Sequence, residues 1–199
     1  MGPAACFDDP NFEGDGAILA HMMGLGKTIQ VVTLLHTAVT TYMQRKVLPM
    51  PIKRILILVP KNVFQNWFEE FEKWLPPDSV LRDYLYMDQP ADRHANIQKW
   101  YDFGGVYLMS HQGYTNMLKP SVGYKEINDI PKESDTVSGR LAMVKCLSDP
   151  GPDVLVIDEA HVLKNPLTAT LKCLARLRTK RRICVTGNPM QNNFTQYYE

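Results

Sequence analysis

A doubly wound α/β domain with a mainly parallel sheet is the fold class this sequence predicts, and three observations carry it. Short aliphatic runs recur that are apolar at every position rather than every second one, as strands covered on both faces require. Between them lie stretches whose apolar residues repeat at three and four, the period of an amphipathic helix. A glycine-rich segment ending in Gly-Lys-Thr stands at one strand-to-helix junction, and an acidic pair closes a later strand. Strands alternating with helices give a sheet with helices on both faces.

The elements follow in order. Ile18 to Ala20 reads as the first strand, and Lys27 to about Tyr42 as the helix after the glycine-rich loop. Ile55 to Val59 is a strand stopped by Pro60, which has no N–H to offer a neighbouring strand. From Asn62 to Trp74, the residues Phe64, Trp67, Phe68, Phe71 and Trp74 fall on one helical face. Val106 to Met109, Val154 to Ile157 and Ile183 to Val185 read as further strands. Lys119 to Gly139 breaks the rhythm: Pro120, Gly123, Pro131 and Gly139 stand among polar residues without periodicity, and the segment reads as an exposed insertion or long loop.

Composition narrows the class. A chain of 199 residues fits one domain, and 45% apolar with 22% charged residues is ordinary for a globular protein. A formal net charge of +1 provides no global basic field, so nucleic-acid contact has to rest on local patches. Cys6, Cys146, Cys173 and Cys184 form no CxxC pair and have no histidine at zinc spacing, which reads as reduced, intracellular thiols. No run approaches the roughly 18 apolar residues of a membrane span, so no membrane partner is expected. The N-terminus lacks the pattern of a secretory signal, and Cys6 breaks the myristoylation pattern that Met1-Gly2 begins.

The chemistry is carried by two motifs. In a phosphate loop, glycines let the backbone curl so that its N–H groups face phosphate oxygens beside the positive end of the following helix. Met23, Gly24, Leu25, Gly26, Lys27 and Thr28 have that character, with Lys27 reaching the β- and γ-phosphates and the Thr28 hydroxyl on Mg²⁺. His21 holds the place where the strict pattern has a first glycine, and it reads as structural rather than as a base or ligand. Asp158 and Glu159, closing the run Val154 to Ile157, would hold Mg²⁺ and orient or deprotonate the attacking water, with His161 linking the site to a neighbouring strand end. The competing reading, a pair of acids at a helix start, accounts for the carboxylates but not for the loop. Thr186 to Asn193 is by itself a Gly/Pro/Asn turn, placed after the last strand where open sheets bind ligands.

Together these segments resemble the SWI/SNF-type helicase-like ATPases of superfamily 2. The resemblance runs from Met23–Thr28 through Val59-Pro60-Lys61, Asn66-Trp67, Glu70-Phe71 and Lys73-Trp74. It continues through Asp158–His161 with Lys164-Asn165, and ends in Thr186-Gly187, Pro189 and Gln191-Asn192. Ala20-His21, Pro150-Gly151-Pro152-Asp153 and the stretch Gln98-Lys99-Trp100 to Gly104-Gly105-Val106 resemble the ATRX and androgen-receptor-interacting branch. The resemblance implies a RecA-like phosphate-loop lobe over residues 14–199, after an unmatched segment 1–13. It implies ATP and Mg²⁺ as cofactors, and duplex DNA in chromatin as the partner, tracked in the nucleus without strand separation. It further implies coupling through His161 and Gln191, and DNA contact at Lys61, Asn62, Ser110 and His111.

Three departures qualify that picture. Asn188 stands where the family has threonine, which bears on coupling between the ATP and DNA sites. The family's adenine-reading glutamine segment has no match upstream of Gly14. The second RecA-like lobe, which carries the arginine finger in the family, is absent from these 199 residues, so the sequence is expected to hold half of a motor's active site. A nucleotide- or partner-binding module without turnover is the alternative. A different phosphate-loop enzyme such as a kinase would need an acceptor site, and no motif here suggests one.

Overall fold

The computed structural model describes residues 16–45, 52–119, 135–163 and 168–187. Six strands, β1 (Ala17–Ala20), β2 (Arg54–Val59), β3 (Leu85–Met87), β4 (Gly105–Ser110), β5 (Val154–Ile157) and β6 (Arg182–Thr186), form one sheet. Their order is β1-β6-β5-β2-β4-β3, and every pairing is parallel. The helices are α1 (Lys27–Arg45), α2 (Phe64–Trp74), α3 (Val80–Asp83), α4 (Arg93–Phe103), α5 (His111–Leu118), α6 (Asp135–Ser148) and α7 (Ala169–Leu174).

The unbroken apolar runs have a direct cause. Successive side chains of a strand point to opposite faces, and both faces of this sheet are covered. Ile55, Ile57 and Val59 of β2 pack with Val106, Leu108, Val154 and Val156 against Val31, Val32 and Leu35 of α1 and Trp67 and Phe71 of α2. Leu56 and Leu58 point the other way, with Tyr107, Met109, Leu155 and Ile157, onto Ile97 and Trp100 of α4, Tyr114 of α5, Leu147 of α6 and Leu174 of α7.

The expected strands and the first two helices are present, with bounds shifted by at most three residues. The helix expected from Asn62 begins with a single 3₁₀ turn, Lys61–Val63, before α2 proper. Its apolar face is narrower than the spacing suggested. Trp67 and Phe71 are buried, but Trp74 is exposed, with its indole N–H donating to Glu70 Oε2 at 2.7 Å and the Lys73 ammonium 4.8 Å from its ring. Residues 120–134 of the segment read as an insertion lie outside the described residues. Its last five begin α6, which is anchored farther along by buried Val144, Cys146 and Leu147.

Two polar clusters hold the sheet's periphery. The Asp88 carboxylate, after β3, accepts from Arg93 Nε at 2.6 Å and Nη2 at 2.8 Å, and from the Tyr107 hydroxyl at 3.1 Å. At the opposite edge, where strands begin, Asp153 Oδ2 accepts from the backbone N–H of Lys53 at 2.8 Å and of Arg54 at 2.7 Å. The basic stretch 176–182 enters the sheet at that same edge, and Arg182 donates to the carbonyls of Thr179 and Leu177.

Gly105, the first residue of β4, has φ +99°, and a Cβ there would lie 2.1 Å from the Tyr84 carbonyl oxygen. The backbone of β4 must pass this close because Val106 N–H donates to that same carbonyl, pairing β4 with the start of β3. Gly105→Ala is therefore expected to lower stability by about 2–4 kcal/mol. It should appear as a lower urea midpoint with an unchanged slope.

Candidate functional site

The motif segments emerge at the carboxyl edge of the sheet, where open parallel sheets bind ligands. β6 lies between β1 and β5, so the loop after β1 and the acidic pair after β5 flank its end. Gly187, just past β6, sits against the loop: a Cβ there would lie 3.1 Å from Met23 Cγ and 3.9 Å from Lys27 Nζ. The absence of a side chain at Gly187 is what lets the end of β6 approach the lysine.

The loop itself runs from His21 to Gly26 and opens α1. Gly24 and Gly26 have φ of +80° and +66°, and a Cβ on Gly26 would also meet Ile29 Cγ2 at 3.0 Å. Met22, Met23 and Leu25 are exposed. Lys27 Nζ donates to the carbonyls of His21 and Met22, each at 2.9 Å, so the contribution of His21 here is its backbone oxygen. Thr28 follows in the first turn of α1 and is half-buried.

Asp158 is gripped from four directions. Its N–H donates to the Leu58 carbonyl at 2.8 Å, continuing the β5–β2 pairing by one residue. Its Oδ2 accepts from the Trp67 indole at 2.7 Å and its Oδ1 from the Glu159 N–H at 2.8 Å. Its carbonyl accepts from His111 Nε2 at 2.8 Å. Burial pushes the Asp158 carboxyl above the ordinary carboxylate range, while the indole and the Glu159 N–H pull it back. Glu159 has φ +49°, a left-handed conformation that costs a non-glycine residue about 1–3 kcal/mol and is typical of functional turns. The Glu159 carboxylate accepts from His161 Nδ1 at 3.0 Å, and His161 is about half exposed.

The four residues assigned to a DNA track separate into two pairs. Lys61 and Asn62 are exposed on the 3₁₀ turn after β2. Ser110 and His111 make their hydrogen bonds within the protein: Ser110 Oγ accepts from the Gly113 N–H and caps α5, and His111 bonds to Asp158. Because a carbonyl only accepts, His111 carries its proton on Nε2, and its buried Nδ1 has no partner among the described residues. Gln191 and Asn188, with Lys164 and Asn165, lie outside the described residues.

The spacing puts Trp67 on an apolar face and the resemblance includes Asn66-Trp67, but neither points to its bond with Asp158, which spans 91 positions and has no local signature. Among the described residues, no group of three or more His, Cys, Asp or Glu forms a cage for a metal. A hard cation held by the Thr28 hydroxyl and the Asp158 carboxylate fits these donors, since Mg²⁺ keeps its waters and leans on phosphate oxygens rather than on an all-protein cage.

An all-parallel sheet with a phosphate loop and an acidic pair on either side of one strand end defines a RecA-like lobe of the helicase-like ATPases. Residues 11–199 match the SNF2-related domain, and the chain belongs to that family. A nematode relative, "Transcriptional regulator ATRX homolog" of Caenorhabditis elegans, is 37% identical over all of this chain and 15% of its own length. "Protein CHROMATIN REMODELING 20" of Arabidopsis thaliana is 40% identical over 94% of this chain and 12% of its own length. The chain thus spans a small part of the curated relatives it matches. The Sulfolobus solfataricus SWI2/SNF2 ATPase core, solved in complex with dsDNA, is 25% identical with a TM-score of 0.62, over 93% of this chain and 30% of that one.

Burial holds the His111 pKa below its ordinary value, so the native ring stays neutral where an exposed histidine charges. Below about pH 6.5 the unfolded chain takes up a proton that the native ring refuses. The contribution of His111 to stability is therefore present above that pH and lost as pH falls toward the depressed folded value, by at most about 1.4 kcal/mol per pH unit. His111→Gln keeps an N–H donor without titrating. Urea midpoints from about pH 7.5 down to about pH 5 should fall less steeply for the variant than for the native chain.

Proposed function

We propose that this chain is the ATP-binding lobe of a chromatin-remodelling type of DNA-dependent ATPase, working in the nucleus and moving along duplex DNA when joined to a second lobe. The observation that carries the reading is the convergence of Lys27 and Gly187 with Asp158–Glu159 at one sheet edge, on the two flanks of β6. Membership of the SNF2-related family supports it independently.

In this reading Lys27 exchanges the carbonyls of His21 and Met22 for the β- and γ-phosphates of ATP, and Met23 to Gly26 wrap the phosphates with backbone N–H groups. Thr28 and Asp158 would hold Mg²⁺, which would neutralise charge on the phosphates. Glu159 orients and deprotonates the attacking water. His161, already bonded to Glu159, and Gln191 relay the state of the site to the neighbouring lobe. Exposed Lys61 and Asn62 contact DNA phosphates without reading sequence, so binding weakens with salt. The second lobe supplies an arginine finger, a contribution of about 10³–10⁵ in rate.

Lys27→Ala is expected to weaken ATP binding in calorimetry without lowering the melting temperature, because both of the hydrogen bonds that Lys27 donates are at the exposed loop. Glu159→Gln should bind ATP with near-native affinity and lose hydrolysis by about 10²-fold or more. Unchanged ATP affinity in Lys27→Ala would overturn the assignment of the loop. The joined-lobe reading is tested by ATPase rates with and without duplex DNA, for this chain and for one extended through a second lobe. DNA stimulation is expected in the extended form, and its absence there would leave a nucleotide-binding module.

A further inference from the structure

We infer that Trp67 is a positioning residue for the magnesium-ligating carboxylate: its indole N–H sets the orientation in which Asp158 meets the metal and its waters. The inference rests on the nucleotide-site reading above.

The indole ring is almost wholly buried, at 1% exposure, and its N–H makes one hydrogen bond, to Asp158 Oδ2 at 2.7 Å. That length is at the short end for an N–H donor, as expected where the acceptor carries charge. The ring is held by its own surroundings. Phe71, one turn further along α2, packs against it with centroids 6.3 Å apart and planes tilted by 37°. Trp67 lies in the first turn of α2, immediately after the 3₁₀ turn that leaves β2, and β2 is hydrogen-bonded to β5. Thus donor and acceptor are carried by segments that follow two neighbouring, hydrogen-bonded strands of the sheet.

The carboxylate is otherwise free to turn about its side-chain bonds. A carboxylate has about four lone-pair directions. The Glu159 N–H takes one on Oδ1 and the indole takes one on Oδ2, so a single plane is selected and one direction on each oxygen remains for the metal shell. The Glu159 N–H cannot do this alone, because it belongs to the adjoining residue and turns with the same backbone. The indole is the reference point outside that segment. Groups that orient a metal's ligands typically change metal affinity or activity by about 10–100-fold when removed.

Trp67→Phe keeps an aromatic ring in the core and removes the N–H. The measurement is the affinity for ADP by calorimetry, in excess Mg²⁺ and in EDTA. The native chain is expected to bind ADP more tightly with Mg²⁺. In Trp67→Phe the affinity in EDTA should stay native, and the gain from Mg²⁺ should shrink about 10-fold or more. A variant with lowered stability but a native Mg²⁺ gain would overturn the inference and leave Trp67 as packing alone. A native chain that binds no ADP would instead overturn the nucleotide-site reading.

A second measurement leaves the core intact. The sequence has three tryptophans, so the ¹⁵N-labelled chain shows three indole N–H signals, assigned with the help of Trp74→Phe at the exposed position. The Trp67 signal should move when Mg²⁺ is added to the ADP-bound chain, while that of Trp74 stays in place. No movement of Trp67 in a chain that binds Mg-ADP would equally overturn the inference.

Discussion

A carboxylate buried at the rim of a dry sheet is the constraint on which the rest of the site depends. Every residue of β5 is buried, and Asp158 follows at its end without the full hydration that favours an ionised carboxyl. The structure answers with hydrogen bonds drawn from different elements. On the carboxylate these are the Trp67 indole N–H from α2 and the backbone N–H of Glu159, while the Leu58 carbonyl of β2 and the His111 imidazole of α5 hold the backbone of Asp158. α1 and α2 lie on one face of the sheet and α5 on the other, so the residue is held from both sides. The order β5-β2-β4 is what makes this possible, because the segments after β2 and β4 are the ones that reach the end of β5.

The phosphate loop is built on a different principle. Its residues are exposed, and among the described residues its lysine is tied to two carbonyls of its own loop. The link between loop and acidic pair is β6, inserted between their strands. Thr186 is fully buried at its end, and Gly187 beyond it is small enough to touch Met23 and approach Lys27. A buried, multiply bonded carboxylate and a lysine tied to its own loop thus lie on the two flanks of one strand end.

Much of this was legible in the sequence where the signal is local. The runs Ile55 to Val59 and Val154 to Ile157 announced strands because both faces of each are buried, leaving no polar position to interrupt them. The phosphate loop could be read because glycines at positive φ and a lysine at a helix start are a local arrangement. β3 escaped notice: it is three residues long, pairs only with β4 and is half-buried throughout, so no apolar run marks it. Residues 135–139 were read as loop, because the buried residues that anchor α6 lie farther along the helix. Spacing alone assigns Trp74 to the packed face, yet at the end of α2 it is the next residue, Leu75, that enters the core, and Trp74 stays exposed beside Glu70 and Lys73.

By itself, then, the sequence determined the class of fold and the two motifs that define its chemistry, because strand burial, helix period and phosphate-loop geometry are written within a few residues of one another. Only the tertiary structure decided which side chains those motifs work beside. Trp67 and Asp158 are 91 positions apart, and His111 and Asp158 are 47. No local pattern encodes such pairs, since it is the order of parallel strands that brings their ends together. His111 is a further case: the resemblance assigns it to a DNA track, and its bond to the carbonyl of Asp158 appears only once the ends of β4 and β5 lie close together.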